Sequence, residues 1–312
     1  MNTLPACLLL ALTSLLGCLP LSSLADPAEK RWGFYQIHWR TDQFRQGIAE
    51  QIQALGAKPD YILFFNDLHP RRGFPSEAAQ TCQEFGAIPV ISQELALWGK
   101  RSQSLLEEIN GGQFDGFWRD WARAALAHGG QVLLRFGFEM NGDWFSWGQQ
   151  PEAFVAAWKR VHGIVRGEFG AENVRFLFSP NVVWTDQPLV QLEPYYPGDD
   201  FVDLLGLDGY NFGDHFDRWH RWQSYQEIFE TSIETISQWN KPLLLAEIGC
   251  AHGPRKAQWL ESFLEAFAQD ERLAGFIYYN HGDGKNGEPN WRLDSDPDSL
   301  AVVRHYLQGL PK

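Results

Sequence analysis

Two carboxylates at the ends of apolar runs are the residues in this chain best placed to do chemistry. Gln131-Val132-Leu133-Leu134 leads through Arg135 to Glu139, which is followed by Asn141, Gly142, Trp144 and Trp147. Lys241-Pro242-Leu243-Leu244-Leu245-Ala246 leads to Glu247. An extended apolar run is the pattern of a strand buried on both faces, and an ionisable group at its end sits at the strand's C-terminal edge. The indoles of Trp144 and Trp147 offer flat apolar faces with a polar edge, the shape that suits a pyranose ring. A lone strand-end glutamate is usually a solvated edge residue. Two of them, on strands about a hundred residues apart, suggest a pair converging on one glycosidic bond, one carboxyl to protonate the leaving oxygen and one to attack the anomeric carbon.

The words around these residues resemble a known family. The segment from Glu139 to Trp147 is similar to the acid/base motif of glycoside hydrolase family 26, the β-mannanase and lichenase family of retaining (β/α)8 enzymes. Tyr195-Tyr196-Pro197-Gly198-Asp199-Asp200, Val202-Asp203 and Leu207-Asp208-Gly209-Tyr210-Asn211 resemble its sixth-strand signature. Ala246-Glu247-Ile248-Gly249 resembles its nucleophile strand, and Asn290-Trp291-Arg292 the tryptophan-arginine pair after the eighth strand. The resemblance implies Glu139 as acid/base, Glu247 as nucleophile and Tyr210 as the hydroxyl that orients Glu247. It further implies Trp291 as a platform under the sugar with Arg292 beside it, and Trp144 as a wall of the cleft. One position departs from the family: a histidine commonly precedes the acid/base, and Phe138 stands there. A phenyl ring cannot donate to sugar or carboxyl, which bears on whether mannan is the substrate.

The division of labour demands different surroundings for the two glutamates. Phe136, Phe138 and Trp144 flank Glu139 in sequence, and apolar neighbours disfavour its charged form, as an acid requires. Arg135, one strand repeat before Glu139, either supplies positive potential that keeps a carboxylate ionised or closes the barrel layer as a structural ion pair.

The elements that must position these groups recur at a βα spacing. Apolar, β-branched or aromatic runs occur at Trp32 to His38, Tyr61 to Phe65, Ile88 to Ser92, Val132 to Phe138, Val174 to Ser179, Val202 to Leu207, Leu243 to Ile248 and Ala274 to Tyr279. Between them lie helical patterns such as Phe154, Trp158, Val161, Val165 and Trp259, Phe263, Leu264, Phe267. Eight such units predict an α/β fold, a single (β/α)8 TIM barrel, and a chain of 312 residues suits one such domain. Residues 26–312 are expected to form it. The rule that strand C-terminal ends carry the chemistry gathers His38, Trp39, Asn66, Asp67, Gln93, Glu94, Asn181, Trp184, Asp208, Asn280 and His281 around the same mouth. His38, Asp208 and Asn141 are the expected polar contacts to sugar, alongside the stacking tryptophans; for strand-end residues outside the motifs, capping the barrel top is an equal alternative.

Residues 1–25 hold no charged side chain, carry an apolar core from Cys7 to Leu16, and end in Ser23-Leu24-Ala25, which reads as a secretory signal cleaved near Ala25. The competing readings are a lipoprotein signal acylated at Cys18 and a membrane anchor, the latter opposed by Gly17, Pro20 and the short apolar run. Cleavage would leave Cys82 and Cys250, read as two buried thiols rather than a bridge. The formal charge of −13 repels phosphate backbones and anionic polysaccharides at range, so nucleic acid and acidic exopolymers are poor candidate partners and a neutral β-linked polysaccharide is favoured. No stable protein partner and no cofactor are implied. The nine histidines are scattered, with no HExxH and no pair two apart on the first strand, so no metal site is expected; His215 and His220 belong to an aromatic-rich loop after strand six. Against a hydrolase stand a glycan-binding protein on a decayed barrel and a transglycosylase or hydrolase of an exopolysaccharide; the presence of both glutamates with Tyr210 favours the enzyme.

Overall fold

The computed structural model describes residues 28–183, 192–215, 221–282 and 287–310. The signal-like segment, Trp184 and His220 lie outside them. Eight parallel strands, β1 (Arg31–Tyr35), β2 (Tyr61–Asn66), β3 (Ile88–Gln93), β4 (Val132–Phe136), β5 (Val174–Phe178), β6 (Leu204–Asn211), β7 (Leu243–Cys250) and β8 (Leu273–Tyr278), pair in sequence order. The barrel closes where β1 pairs with β8. The eight runs read from the sequence are these eight strands.

Alternation along each strand divides its side chains between two cores. Tyr61, Leu63, Val90, Leu133, Leu177, Leu204, Leu244, Ala246 and Ile277 fill the barrel interior. Their neighbours, among them Ile62, Phe64, Ile91, Leu134, Phe176, Leu205 and Leu245, face the helices. Those helices are α1 (Gln43–Leu55), α2 (Ser76–Glu84), α3 (Leu106–Asn110), α4 (Asp115–His128), α5 (Pro151–His162), α6 (Tyr225–Ser237), α7 (Lys256–Gln269) and α8 (Pro297–Gly309). The 3.6-residue stripe on α5, Phe154, Trp158 and Val161, is fully buried and continues through a π-helical turn, Gly163–Glu168, that also buries Val165. Helix α6 begins with a reciprocal cap, Ser224 accepting from the Glu227 amide while Glu227 accepts from the Ser224 amide. Between β5 and β6 the described residues form short 3₁₀ turns, Glu193–Tyr195 and Asp199–Phe201, and one isolated parallel bridge from Asn181 to Asp208.

Two strands run further than their apolar runs, and the site depends on the difference. β6 continues to Asn211 and β7 to Cys250, so Asp208, Tyr210 and Glu247 lie within strands rather than after them, and Cys250 is the last residue of β7. Leu207 pairs with Leu245 but Asp208 pairs with Glu247, leaving Ala246 as an extra residue on β7. Leu244 and Ala246 point into the barrel, so strict alternation would send Glu247 outward. The bulge resets the alternation, and Ile248 joins the outer core instead. Glu247 is thereby turned into the barrel mouth. Cys82 and Cys250 are buried free thiols.

Candidate active site

Arg135 is the centre of the arrangement. It is an inward residue of β4, its side chain fully buried. Its Nη1 donates to Glu247 Oε2 at 2.9 Å and to Ser92 Oγ at 2.8 Å, and its Nε to Ser179 Oγ at 3.0 Å. Nη2 donates to Asp208, which also accepts from Ser179 Oγ at 3.0 Å. The guanidinium therefore serves both alternatives raised by the sequence: it ties β3, β4, β6 and β7 together, and it supplies a cation to Glu247.

Glu247 accepts on its other oxygen, Oε1, from the Tyr210 hydroxyl. Alternation on β6 puts Asp208 and Tyr210 on the inner face two residues apart, with Gly209 between them against Phe229 of α6. The lower residue neutralises Arg135 and the upper one reaches Glu247. Beside them, Trp291 packs 4.9 Å from the Tyr210 ring and 5.2 Å from Phe212. It keeps 6% of its surface, as Glu247 does, and its carbonyl is held by Lys256 Nζ at 3.0 Å.

Glu139 stands just past β4 with φ of 52°, a left-handed conformation uncommon for a residue with a side chain. The tight turn starts at Gly137, and the Glu139 amide crosses to the Ser179 carbonyl at 2.8 Å. Oε1 accepts from Asn181 Nδ2 at 2.8 Å and Oε2 from Trp144 Nε1 at 2.6 Å. Burial, reinforced by the charge of Glu247, pushes the Glu139 carboxyl up to about 7, against the pull of Arg135 and the two donors. Burial also raises Asp208, opposed first by Arg135.

Several residues expected from sequence to touch sugar are placed otherwise. Trp147 is 1% exposed, stacked on Phe145 at 4.4 Å with its N–H on the Phe138 carbonyl, so it packs the loop and presents no face to a ligand. Asn141 is buried and uses both ends of its amide on the backbone of Asn181, which makes it a brace for the residue that holds Glu139. Asp208 is sealed beneath Arg135. Arg292 is turned to Asp294, and among the described residues no contact joins it, or the exposed His38, to either glutamate. Trp144 is 52% exposed and lies over Gly142, where a Cβ would come within 2.4 Å of its ring. Asn181 and Ser179 are the partners that the apolar-run reading underweighted. The signal was available, since Ser179 follows the inward Leu177 by two and Asn181 follows it by four.

Phe138 has a definite role. Its ring lies 4.3 Å from the Arg135 guanidinium and packs against Phe65, Phe145 and Trp147. It forms an apolar cover over the cation.

A family model described as glycosyl hydrolase family 26 matches residues 120–259. Endoglucanase H of Acetivibrio thermocellus is 30% identical over 209 residues, 64% of this chain and 23% of that protein. Mannan endo-1,4-beta-mannosidase A and B of Caldalkalibacillus mannanilyticus is 24% identical over 284 residues, 85% of this chain and 50% of that protein. The chain thus spans half or less of the length of these relatives. Among solved structures, the catalytic domain of the Bacillus sp. JAMB-750 family 26 endo-beta-1,4-mannanase superposes with a TM-score of 0.70 at 17% identity, covering 92% of this chain and 89% of that one. The matched segment 120–259 carries Glu139, Tyr210 and Glu247, and over that segment the chain is similar to glycosyl hydrolase family 26, whose barrel it shares.

Proposed function

We propose that the protein is a retaining endo-β-glycosidase of a β-1,4-linked polysaccharide of the mannan type, with Glu247 as nucleophile and Glu139 as acid/base. The observation that carries the reading is the unequal treatment of two neighbouring buried carboxyls. Glu247 receives a cation and a phenol, whereas Glu139 is held at about 7. A carboxyl at that value is protonated often enough at neutral pH to serve as an acid and can still give the proton away.

In the first step a Glu247 oxygen attacks the anomeric carbon while Glu139 gives its proton to the departing glycosidic oxygen, leaving a glycosyl ester. The Tyr210 hydroxyl and Arg135 hold the attacking carboxylate, and the ester no longer carries the charge that raised Glu139. In the second step Glu139, now a carboxylate, takes a proton from water as the water oxygen attacks the anomeric carbon and Glu247 departs with the bond electrons. Trp144, exposed beside Glu139, offers its face to the leaving sugar. Mannan is the first substrate to try because the Caldalkalibacillus relative is a mannan endo-1,4-beta-mannosidase, and mixed-linkage glucan is the second because of the endoglucanase.

The role assignment is tested with an aryl glycoside whose leaving group departs without protonation. Glu247→Ala is expected to lose turnover on every substrate, while Glu139→Ala forms the glycosyl-enzyme in a burst and then stalls for want of a base. Equal loss in both variants on that glycoside would sink the assignment. Proton NMR of the first product should show the anomeric configuration of the substrate retained.

A further inference from the structure

The loops after β1, β2 and β3 carry a cluster that the proposed mechanism does not use. The Arg40 guanidinium lies 4.7 Å from the ring centre of Trp39 and 4.2 Å from that of Trp98, and the Arg72 guanidinium lies 4.7 Å from Trp98. Asp67 is committed: Oδ1 pairs with Arg72 at 2.5 Å and Oδ2 accepts from the Trp98 amide at 2.7 Å. Glu94 is committed too, both oxygens taken by Arg101 at 3.0 and 2.8 Å. Arg40 is exposed and, among the described residues, makes no salt bridge, the charges of Asp67 and Arg72 reaching it only at longer range. Arg71 and Lys100 are exposed on the same loops. A chain of net charge −13 therefore gathers positive charge on one rim of its mouth.

The rim adjoins the two glutamates. All three loops leave the strand ends from which Glu139 and Glu247 project, and Trp39 Nε1 donates at 2.6 Å to the carbonyl of Phe65, whose ring packs 5.2 Å from Phe138. Tyr35, at the end of β1, feels the charges of both Glu247 and Arg101. Indoles within cation–π distance of a guanidinium hold it through its face without using its N–H donors, which stay available to a planar, bidentate acceptor. That acceptor is a carboxylate.

We infer that Arg40, stacked on Trp39 and Trp98, forms a subsite for a carboxylate-bearing sugar residue of the polysaccharide, a uronate or an acidic side group. The inference rests on the glycosidase reading and sharpens its substrate class: a backbone neutral enough for an acidic protein to approach, with sparse carboxylates read at one end of the cleft. Long-range repulsion opposes a polyanion, and a single charge at the rim meets the local field instead.

The probes are β-1,4-mannohexaose and the same oligosaccharide oxidised at C6 so that it carries mannuronate residues. Calorimetry on Glu247→Gln, which prevents turnover, should show the oxidised probe bound about tenfold more tightly at low salt, the advantage vanishing in 0.5 M sodium chloride. Adding Arg40→Gln should erase that advantage and leave the neutral probe's affinity unchanged, while Arg40→Lys keeps part of it. With Glu247 intact, Arg40→Gln should hydrolyse neutral mannan at the wild-type rate. Equal or weaker binding of the oxidised probe, an advantage that survives Arg40→Gln, or no binding of either probe overturns the subsite. A wild-type chain that hydrolyses no β-glycan yet keeps the Arg40-dependent preference leaves the subsite standing and removes the glycosidase reading.

Discussion

Glu139 has two donors on its oxygens, and only one of them is solvent-exposed. Trp144 Nε1 favours the charged form of Glu139, so its loss should raise the carboxyl further above about 7. The sign for catalysis follows. With Glu139 as the acid of the proposed mechanism, it must be protonated for glycosylation, so activity is expected to fall as pH rises through the Glu139 value, and a higher value moves that alkaline limb up. Trp144→Phe is therefore expected to shift the alkaline limb of kcat/KM to higher pH while weakening binding of the leaving sugar; a limb that moves down or stays would remove Trp144 from the proton balance. The departure at Phe138 is open to a similar test. Restoring the histidine common in the family would set an imidazole 4.3 Å above a buried guanidinium and among Phe65, Phe145 and Trp147. Phe138→His should cost about 1–3 kcal/mol of stability, more at pH 5 than at pH 8 because the protonated ring repels Arg135. Denaturant melts at the two pH values decide it.

At the scale of elements, the barrel was legible because each strand is a run buried on both faces and each helix repeats at 3.6 residues. What was not legible is where strands end and how they turn. Asp208 and Tyr210 break the apolar run of β6, yet the strand continues through them because their side chains are satisfied inside the mouth by Arg135 and Glu247. The bulge at Ala246 leaves no mark in composition, since Leu-Leu-Leu-Ala-Glu-Ile reads as one run. Trp144 and Trp147 look alike in sequence, three residues apart, but the loop buries one and exposes the other. Motif resemblance singled out the two glutamates and Tyr210, which the structure brings together, and could not separate a residue open to a ligand from one that braces its neighbour, as Asn141 does. Gly249 marks how closely β7 packs: a Cβ there would lie 2.8 Å from Tyr210 Cδ1 and 3.0 Å from Trp291 Cε3. Gly249→Ala should push the phenol off Glu247 and lower kcat by about tenfold or more with little change in the melting temperature. An unchanged kcat would mean that the Tyr210 bond contributes nothing to turnover.

For the whole molecule, the same side chain that tunes the site also closes the barrel. Arg135 reaches Ser92 on β3, Asp208 on β6, Glu247 on β7 and Ser179 at the end of β5, all from β4 and all within the mouth. A buried cation is tolerable here because two carboxylates and two hydroxyls satisfy it, and the carboxylates in turn are tolerable only because it is present. Removing one member should therefore hurt more than removing a matched pair. Arg135→Met leaves Asp208 buried with one hydroxyl and Glu247 with one phenol, and should cost about 3–5 kcal/mol in urea unfolding. The loss should be steeper at pH 8 than at pH 5, because Asp208, already raised by burial and now without its counter-ion, can be accommodated by taking a proton. Asp208→Asn added to Arg135→Met should return part of that stability and none of the activity, since Glu247 still lacks its cation. Additive losses in the double variant would show that the two side chains act independently, and the mouth would then be held by the surrounding apolar layers rather than by this network.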